Sequence, residues 1–346
     1  MFVRFHRYSI VFLATGLGGG GFIACSAFEP DDAVAPEEAG AEGGVRDDGG
    51  IDAARPRRPE RIADQQTGVF DVIAVDGIVY WSTSETIFKA DADGTIGVAA
   101  AAQREAQGLA AGNGHLYWAN WFDANRSIMK LPLDGGVASP VVKGAPSPSR
   151  IALSGEQPFW NVVSLSLPQL PNAVRGAGPD GGAERTYASD TTGITFSGPA
   201  VAAGHVFWVE RSEPARIMRA PIGGDAKPFA TEQIAALELT ADETDVYWTR
   251  TNPTGAVMRA PLEGGDPRML VSGLGDLGKI TQRGSTLFVH DRTTRRVLAI
   301  DKATGDVTTI AEDQVNGGGI FADDVFVYWT ADGDGAGQGS VWKAPR

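Results

Sequence analysis

The sequence predicts an all-β fold, a β-propeller built from four-stranded antiparallel blades. Three observations carry that prediction. An aromatic mark returns about every forty residues, glycine turns stand at fixed offsets from it, and no stretch shows the period of an amphipathic helix of ordinary length. The mark falls at Trp81, Trp118, Trp160, Trp208, Trp248, Val289 and Trp329, at intervals of 37, 42, 48, 40, 41 and 40 residues. Seven marks predict seven blades, with six or eight as the alternatives. Glycine at 45 of 346 residues, with 20 prolines, fits a chain of many turns.

Each unit reads as four strands. The mark ends an apolar run such as Val246-Tyr247-Trp248 or Leu116-Tyr117-Trp118. β-Branched and aromatic residues on both parities describe a strand buried on both faces. A shorter strand precedes it, as in Val72-Ile73-Ala74-Val75, joined through Asp76-Gly77, Asn113-Gly114 or Ala203-Gly204. Two-residue turns of this kind make hairpins. A third strand follows the mark, for example Ile217-Met218-Arg219-Ala220, and closes in turns such as Glu263-Gly264-Gly265; a fourth follows, such as Met269-Leu270-Val271. A four-stranded sheet repeated at this period is the signature of a propeller.

A propeller must close, or a blade edge stays open to other chains. The seventh unit stops at its third strand, Ser340–Arg346, and lacks a fourth. Arg61-Ile62-Ala63-Asp64-Gln65 is similar to Thr309-Ile310-Ala311-Glu312-Asp313-Gln314, which precedes the seventh mark. Residues near Glu60–Asp64 are therefore expected to supply the outer strand of the last blade. The propeller domain is expected over residues 58–346.

The repeated phrase Val-Tyr-Trp-Thr followed by Arg-Ala-Pro-Leu-x-Gly-Gly (246–265) resembles the YWTD repeats of low-density-lipoprotein-receptor propellers, and Ile128–Gly136 is among its best fragments. The resemblance covers residues 71–346. It departs at the aspartate of the motif, where only Asp291 keeps that residue, and in blade number, the family having six. It implies kinship of strand chemistry and no shared ligand.

The N-terminus reads as an address. Arg4, His6 and Arg7 precede an apolar run from Ile10 to Leu17, broken by Gly18–Gly21. This is the pattern of a secretory signal over residues 1–24, too short for the ~20 residues of a membrane span. Cys25, the only cysteine, follows Phe22-Ile23-Ala24, and this junction resembles the lipobox of bacterial lipoproteins. The resemblance implies cleavage before Cys25, fatty acylation such as palmitate on it, and a membrane anchor; Ser26 in place of aspartate implies the outer membrane. Residues 25–57 read as a disordered tether rich in Ala, Gly and Pro. From Ser26 to Ala54, nine acids face one base, Arg46, and so polar a stretch cannot offset its ordering cost by burial. A lone cysteine excludes an internal disulfide. The net charge of −13 argues against nucleic acid. The chain is expected to be a monomer without a cofactor.

Antiparallel order puts the first and third turns of every blade at one end of the ring and the second loop and the blade-to-blade connection at the other. The first end has tight turns; the second carries the variable loops, where binding residues concentrate. Candidate contacts there are Trp121, Asp123 and Arg126 after the second mark, Glu210 and Arg211 after the fourth, Arg250 after the fifth, and His290, Asp291 and Arg292 at the sixth. Trp121 is a loop tryptophan beside acid and base. Leu165, Leu167 and Leu170 make the third loop apolar, suited to a partner or to packing over the channel mouth. Asp332 and Asp334 are weak metal candidates, because the acidic ligand that would complete a calcium loop is missing. His115 and His205 share one repeat position beside the first turn and read as hairpin residues. No nucleophile-elbow, Walker or dinucleotide motif stands in a fitting context. The expected function is a lipid-anchored envelope module that binds proteins or a small ligand. The alternatives are a channel enzyme of lyase or lactonase type, as some seven-bladed propellers are, and a carbohydrate- or peptidoglycan-binding propeller.

Overall fold

The computed structural model describes residues 58–122, 126–163, 171–192, 194–251, 254–315, 317–333, 335 and 337–346. The segments expected to be a signal and a tether, with Cys25 between them, lie outside the described residues. Ala54–Arg346 forms one compact unit.

The described residues form seven four-stranded antiparallel sheets. In blade 1 the strands are β2 (Asp71–Val75), β3 (Ile78–Ser82), β4 (Thr86–Ala90) and β5 (Ile96–Ala101), in that order from the axis outward. The innermost strands of blades 2 to 7 are Ala106–Gly112, Pro148–Ser154, Phe196–Ala202, Ala236–Ala241, Leu277–Arg283 and Gly317–Ala322. Each packs on the innermost strand of the blade before and after it, and Gly317–Ala322 packs back on β2. The ring is closed, a seven-bladed propeller.

Closure is made by β1 (Glu60–Gln66), the outer strand of blade 7 beside Gly339–Pro345. Glu60 lies opposite Lys343 and Gln66 opposite Gly339. The sequence expectation for Glu60–Asp64 holds. Blade 7 is thus sewn from both parts of the chain, and β1 covers the edge that Gly339–Pro345 would otherwise expose.

The mark residues explain their own recurrence. All six tryptophans of the mark are fully buried, each in the second strand where two neighbouring blades press on the sheet. In four blades the indole Nε1 donates to a glutamine fifteen residues earlier: Trp81 to Gln66, Trp118 to Gln103, Trp248 to Gln233 and Trp329 to Gln314. That glutamine sits at or just beyond the end of the previous blade's outer strand, so each bond ties one blade to the next, the closing strand included. Where the mark becomes Val289, the fifteen-back residue is Leu274, and both join one apolar cluster. Trp160 has Ala145 there, and its Nε1 has no protein partner.

The arginine of the repeated phrase is a second staple. Arg219 Nη1 donates to Leu262 O at 3.0 Å and Arg259 Nη1 to Lys302 O at 2.9 Å, each one blade onward. The Asn113-Gly114 turn has both residues in the left-handed region, φ 48° and 74°, as a type I′ hairpin requires.

Candidate functional site

One register position organises the channel. The residue ten before each mark is Asp71, Gly108, Arg150, Gly198, Glu238, Lys279 and Gly319 in blades 1 to 7. It lies on the innermost strand next to the residue opposite the mark, as Leu239 opposite Trp248 shows for Glu238. In blades 2 to 7 the ladder slips at or next to this position. A bulge bends its strand and re-aims a side chain.

The four charged residues at this level pair across the axis. Arg150 Nη1 meets Glu238 Oε2 at 2.6 Å, joining blades 3 and 5 over the glycine of blade 4. Lys279 Nζ meets Asp71 Oδ2 at 2.9 Å, joining blades 6 and 1 over the glycine of blade 7. Blades two apart meet only through the centre, so both pairs span the channel. Asp71 also accepts from the backbone of Leu109 and Val72, each at 3.1 Å. Two acids and two bases leave the ring neutral.

Gly319 and Gly108 are required by space, and Gly198 is favoured by its φ of +95°. A Cβ on Gly319 would stand 2.6 Å from Asp71 Oδ1, and one on Gly108, at φ +65°, would meet Arg150 Cα at 2.5 Å. Arg150 itself holds φ 45°, a strained backbone for a residue with a side chain. The bulges are held from behind. Glu238 N donates to Thr249 Oγ1 at 3.2 Å, and Gly319 N to Thr330 Oγ1 at 2.8 Å.

At the loop end, the candidates of the sequence separate into two groups. His290 and Asp291 are buried. His290 Nε2 lies 3.2 Å from Gly319 O; burial, the dominant effect, pushes its imidazole down to about 4 and keeps it neutral at pH 7. Asp291 accepts from the backbone N–H of Gly275 and Thr294 and faces Arg296 at 3.7 Å. Glu210 is buried too, against Arg216, which donates to it through Nε at 2.9 Å. Arg250 lies back on the connection between blades 4 and 5, its Nε donating to Ile234 O at 3.0 Å. These four hold the scaffold. Toward solvent stand Arg211, Arg292 and the pair Trp121–Phe122, whose rings meet edge-on at 6.0 Å with Phe122 56% exposed. Arg292 is 3.8 Å from Asp276. Arg126 is half-buried, and Asp332 N donates to Val315 O. Asp123, Leu165, Leu167, Leu170 and Asp334 lie outside the described residues.

The tight-turn end, read from sequence as plain, holds clefts of its own. One of about 650 Å³ opens between blades 5 and 6 beside Asp242, Tyr247, Gln282 and Lys302. A second of about 660 Å³ follows the closure seam beside Ile62, Val79 and Phe326, and a third of about 660 Å³ lies by Asn113 and His115. Short turns stop before they fill the wedge between diverging blades. In the first cleft Lys302 Nζ donates to Asp242 Oδ2, Gln282 Oε1 and Gly284 O, each at 2.7 Å. Burial alone would raise the Asp242 carboxyl, but hydrogen bonds from Lys302, Thr244 and Asp245 outweigh it and bring it to about 2. His115 and His205 each bond a carbonyl of their own hairpin, Asn113 O and Ala203 O.

Sequence reasoning passed over Asp71, Arg150, Glu238 and Lys279. The signal that finds them is the repeat itself, read at a fixed distance from the mark. Among the described residues, no three His, Cys, Asp or Glu side chains are grouped to hold a metal ion.

No family profile matches the chain, and no curated protein matches it. Solved structures do. A chain of the nidogen/laminin complex is 20% identical with a TM-score of 0.52, over 67% of this chain and 92% of its own. A computationally designed protein, Ika8, is 12% identical at 0.58, over 82% and 98%. A gluconolactonase from Xanthomonas campestris is 15% identical at 0.54, over 84% and 89%. At these identities the likeness is one of fold.

Proposed function

We propose that the chain is a lipid-anchored protein of the bacterial cell envelope whose propeller is a binding or assembly module, presenting its loop end to a partner. The carrying observation is the neutral ring at the axis. Asp71 and Glu238, the carboxylates best placed for channel chemistry, are each held by a cation from another blade. A group so engaged serves closure of the ring, and recognition falls to the rims. The register supports the choice of rim. Glu60 pairs with Lys343, and Pro345 lies opposite Phe326 beside a first turn. Glu60 thus stands at the tight-turn end of the ring, the end opposite Trp121, Arg211 and Arg292. Fold likeness to the nidogen/laminin complex fits a protein-binding propeller.

Site-specific photo-cross-linking in cells tests this. Probes at Trp121, Arg211 and Arg292 are expected to give discrete adducts, and probes at Asp134 and Asp266 on the turns none. Equal labelling of both ends overturns the choice of face. Fold likeness to a gluconolactonase supplies the rival. Lactone hydrolysis by the purified protein, lost in both Asp71→Asn and Glu238→Gln, would replace the binding reading with an enzymatic one. Anchoring has its own test: incorporation of labelled palmitate that vanishes in Cys25→Ser.

A further inference from the structure

The seven outer strands form the rim of the ring, and each leaves one row of backbone groups without a strand partner. Such edges are guarded by charge or proline where association is to be avoided. Six follow this rule in or immediately beside the strand: Pro140 and Lys143 in blade 2, Lys227 and Pro228 in blade 4, and Asp306 ahead of Val307–Ala311 in blade 6 are examples, as are the charges of β1, of Arg185–Asp190 and at Arg268. β5 breaks it. From Gly94 to Gln103 the chain has neither charge nor proline.

Two aliphatic side chains stand out from this edge. Ile96 is 48% exposed and Val98 56%. They share one face of the strand, opposite Ala90 and Phe88, and Phe88 stacks on Trp81 at 5.7 Å, so the strand beneath them is rigidly backed. The ladder slip near Ala99 does not single β5 out, since the third and fourth strands of the other blades slip as well.

We propose that β5 is a docking strand for a second copy of this chain, paired antiparallel to its own β5 about a two-fold axis at Val98. Charge argues for this occupant. An edge without charge matches a partner strand without charge; Val307–Ala311 is flanked by Asp306 and Glu312, which leaves β5 itself as the outer strand with no charge in or beside it. The two-fold places Val98 opposite Val98 and brings the two Ile96 side chains onto the same face, making one apolar stripe. An isologous contact also consumes both edges at once, so assembly stops at two. One strand against one strand lies below the roughly 1,200 Å² of a stable interface. The dimer is therefore weak in dilute solution and strengthened wherever copies are held at high local concentration.

The proposal is independent of what the loop end binds. It is tested in the full-length chain carrying Cys25→Ser, which removes the only native thiol. Val98→Cys is expected to form a disulfide dimer under mild oxidation at least tenfold faster than Thr308→Cys on the outer strand of blade 6. In sedimentation velocity, the chain with native β5 is expected to shift toward dimer with concentration. Val98→Lys and Ile96→Lys are expected to weaken that dimer at least tenfold with unchanged far-UV CD, both sites being exposed. A native-β5 chain that stays monomeric, association that survives both lysines, or equal cross-linking of the two cysteine variants overturns the proposal.

Discussion

If the cross-channel pairs close the ring, removing one charge should cost more than a surface ion pair and less than a wholly buried one. Take Glu238→Gln, which keeps the shape of the side chain and removes its charge. Glu238 is 8% exposed and Arg150 30%, with 2.6 Å between the bonded atoms. Breaking a buried pair costs about 3–5 kcal/mol, and an exposed pair is worth about 0–1 kcal/mol. The acid is nearly closed to solvent while the guanidinium reaches some water, so the loss should fall at about 2–3 kcal/mol. At about 2.1 cal/mol/K of unfolding entropy per residue, a ring of this size loses roughly 3–5 °C in Tm. The assay is a double-mutant cycle in urea with Glu238→Gln, Arg150→Met and the pair together. A coupling of about 2 kcal/mol is expected between them. A coupling under about 0.5 kcal/mol would refute the reasoning, because the pair would then behave as exposed groups do.

Three further outcomes follow from the same structure. Gln314→Ala leaves the buried Trp329 indole without its 2.7 Å acceptor and should cost about 1–3 kcal/mol, read from the urea midpoint. Deleting Pro59–Gln66 exposes the edge of Gly339–Pro345 and should abolish the cooperative unfolding of the whole ring; a mild shift in melting would contradict closure by β1. His290, held neutral with a value of about 4, lies below its unfolded value of about 6.5. The unfolded chain therefore binds the proton first, so this contribution is present above pH 6.5 and is lost as pH falls toward 4, by up to about 3 kcal/mol. His290→Gln should flatten the difference in urea midpoint between pH 7.5 and pH 4.5, and an unchanged slope would count against it.

The blades were legible because their signals are local and repeated. A tryptophan needs burial on both faces of its strand, and a tight hairpin needs residues such as Asn113-Gly114, in whatever blade they occur. Closure was legible for the same reason, since Arg61–Gln65 is written like the segment before the seventh mark. The site was legible only in part. His290 and Asp291 stood out as polar residues in an apolar setting, a pattern shared by a ligand contact and by a buried support. Their partners, Gly319 O, Gly275 N and Thr294 N, decide for support, and those bonds cross a blade boundary or a loop. The turn end looked plain because short glycine turns carry no side-chain chemistry; its clefts arise from the divergence of neighbouring blades.

The sequence by itself determined that this chain makes seven four-stranded units and where the ring joins, because strand burial and turn geometry are set within forty residues. Only the tertiary structure decided that Asp71 meets Lys279 and that Arg150 meets Glu238. Those partners lie far apart along the chain and share one level at the axis only after seven blades close. In its own blade each of the four has no partner at that level, and closure of the ring gives it an opposite charge to face.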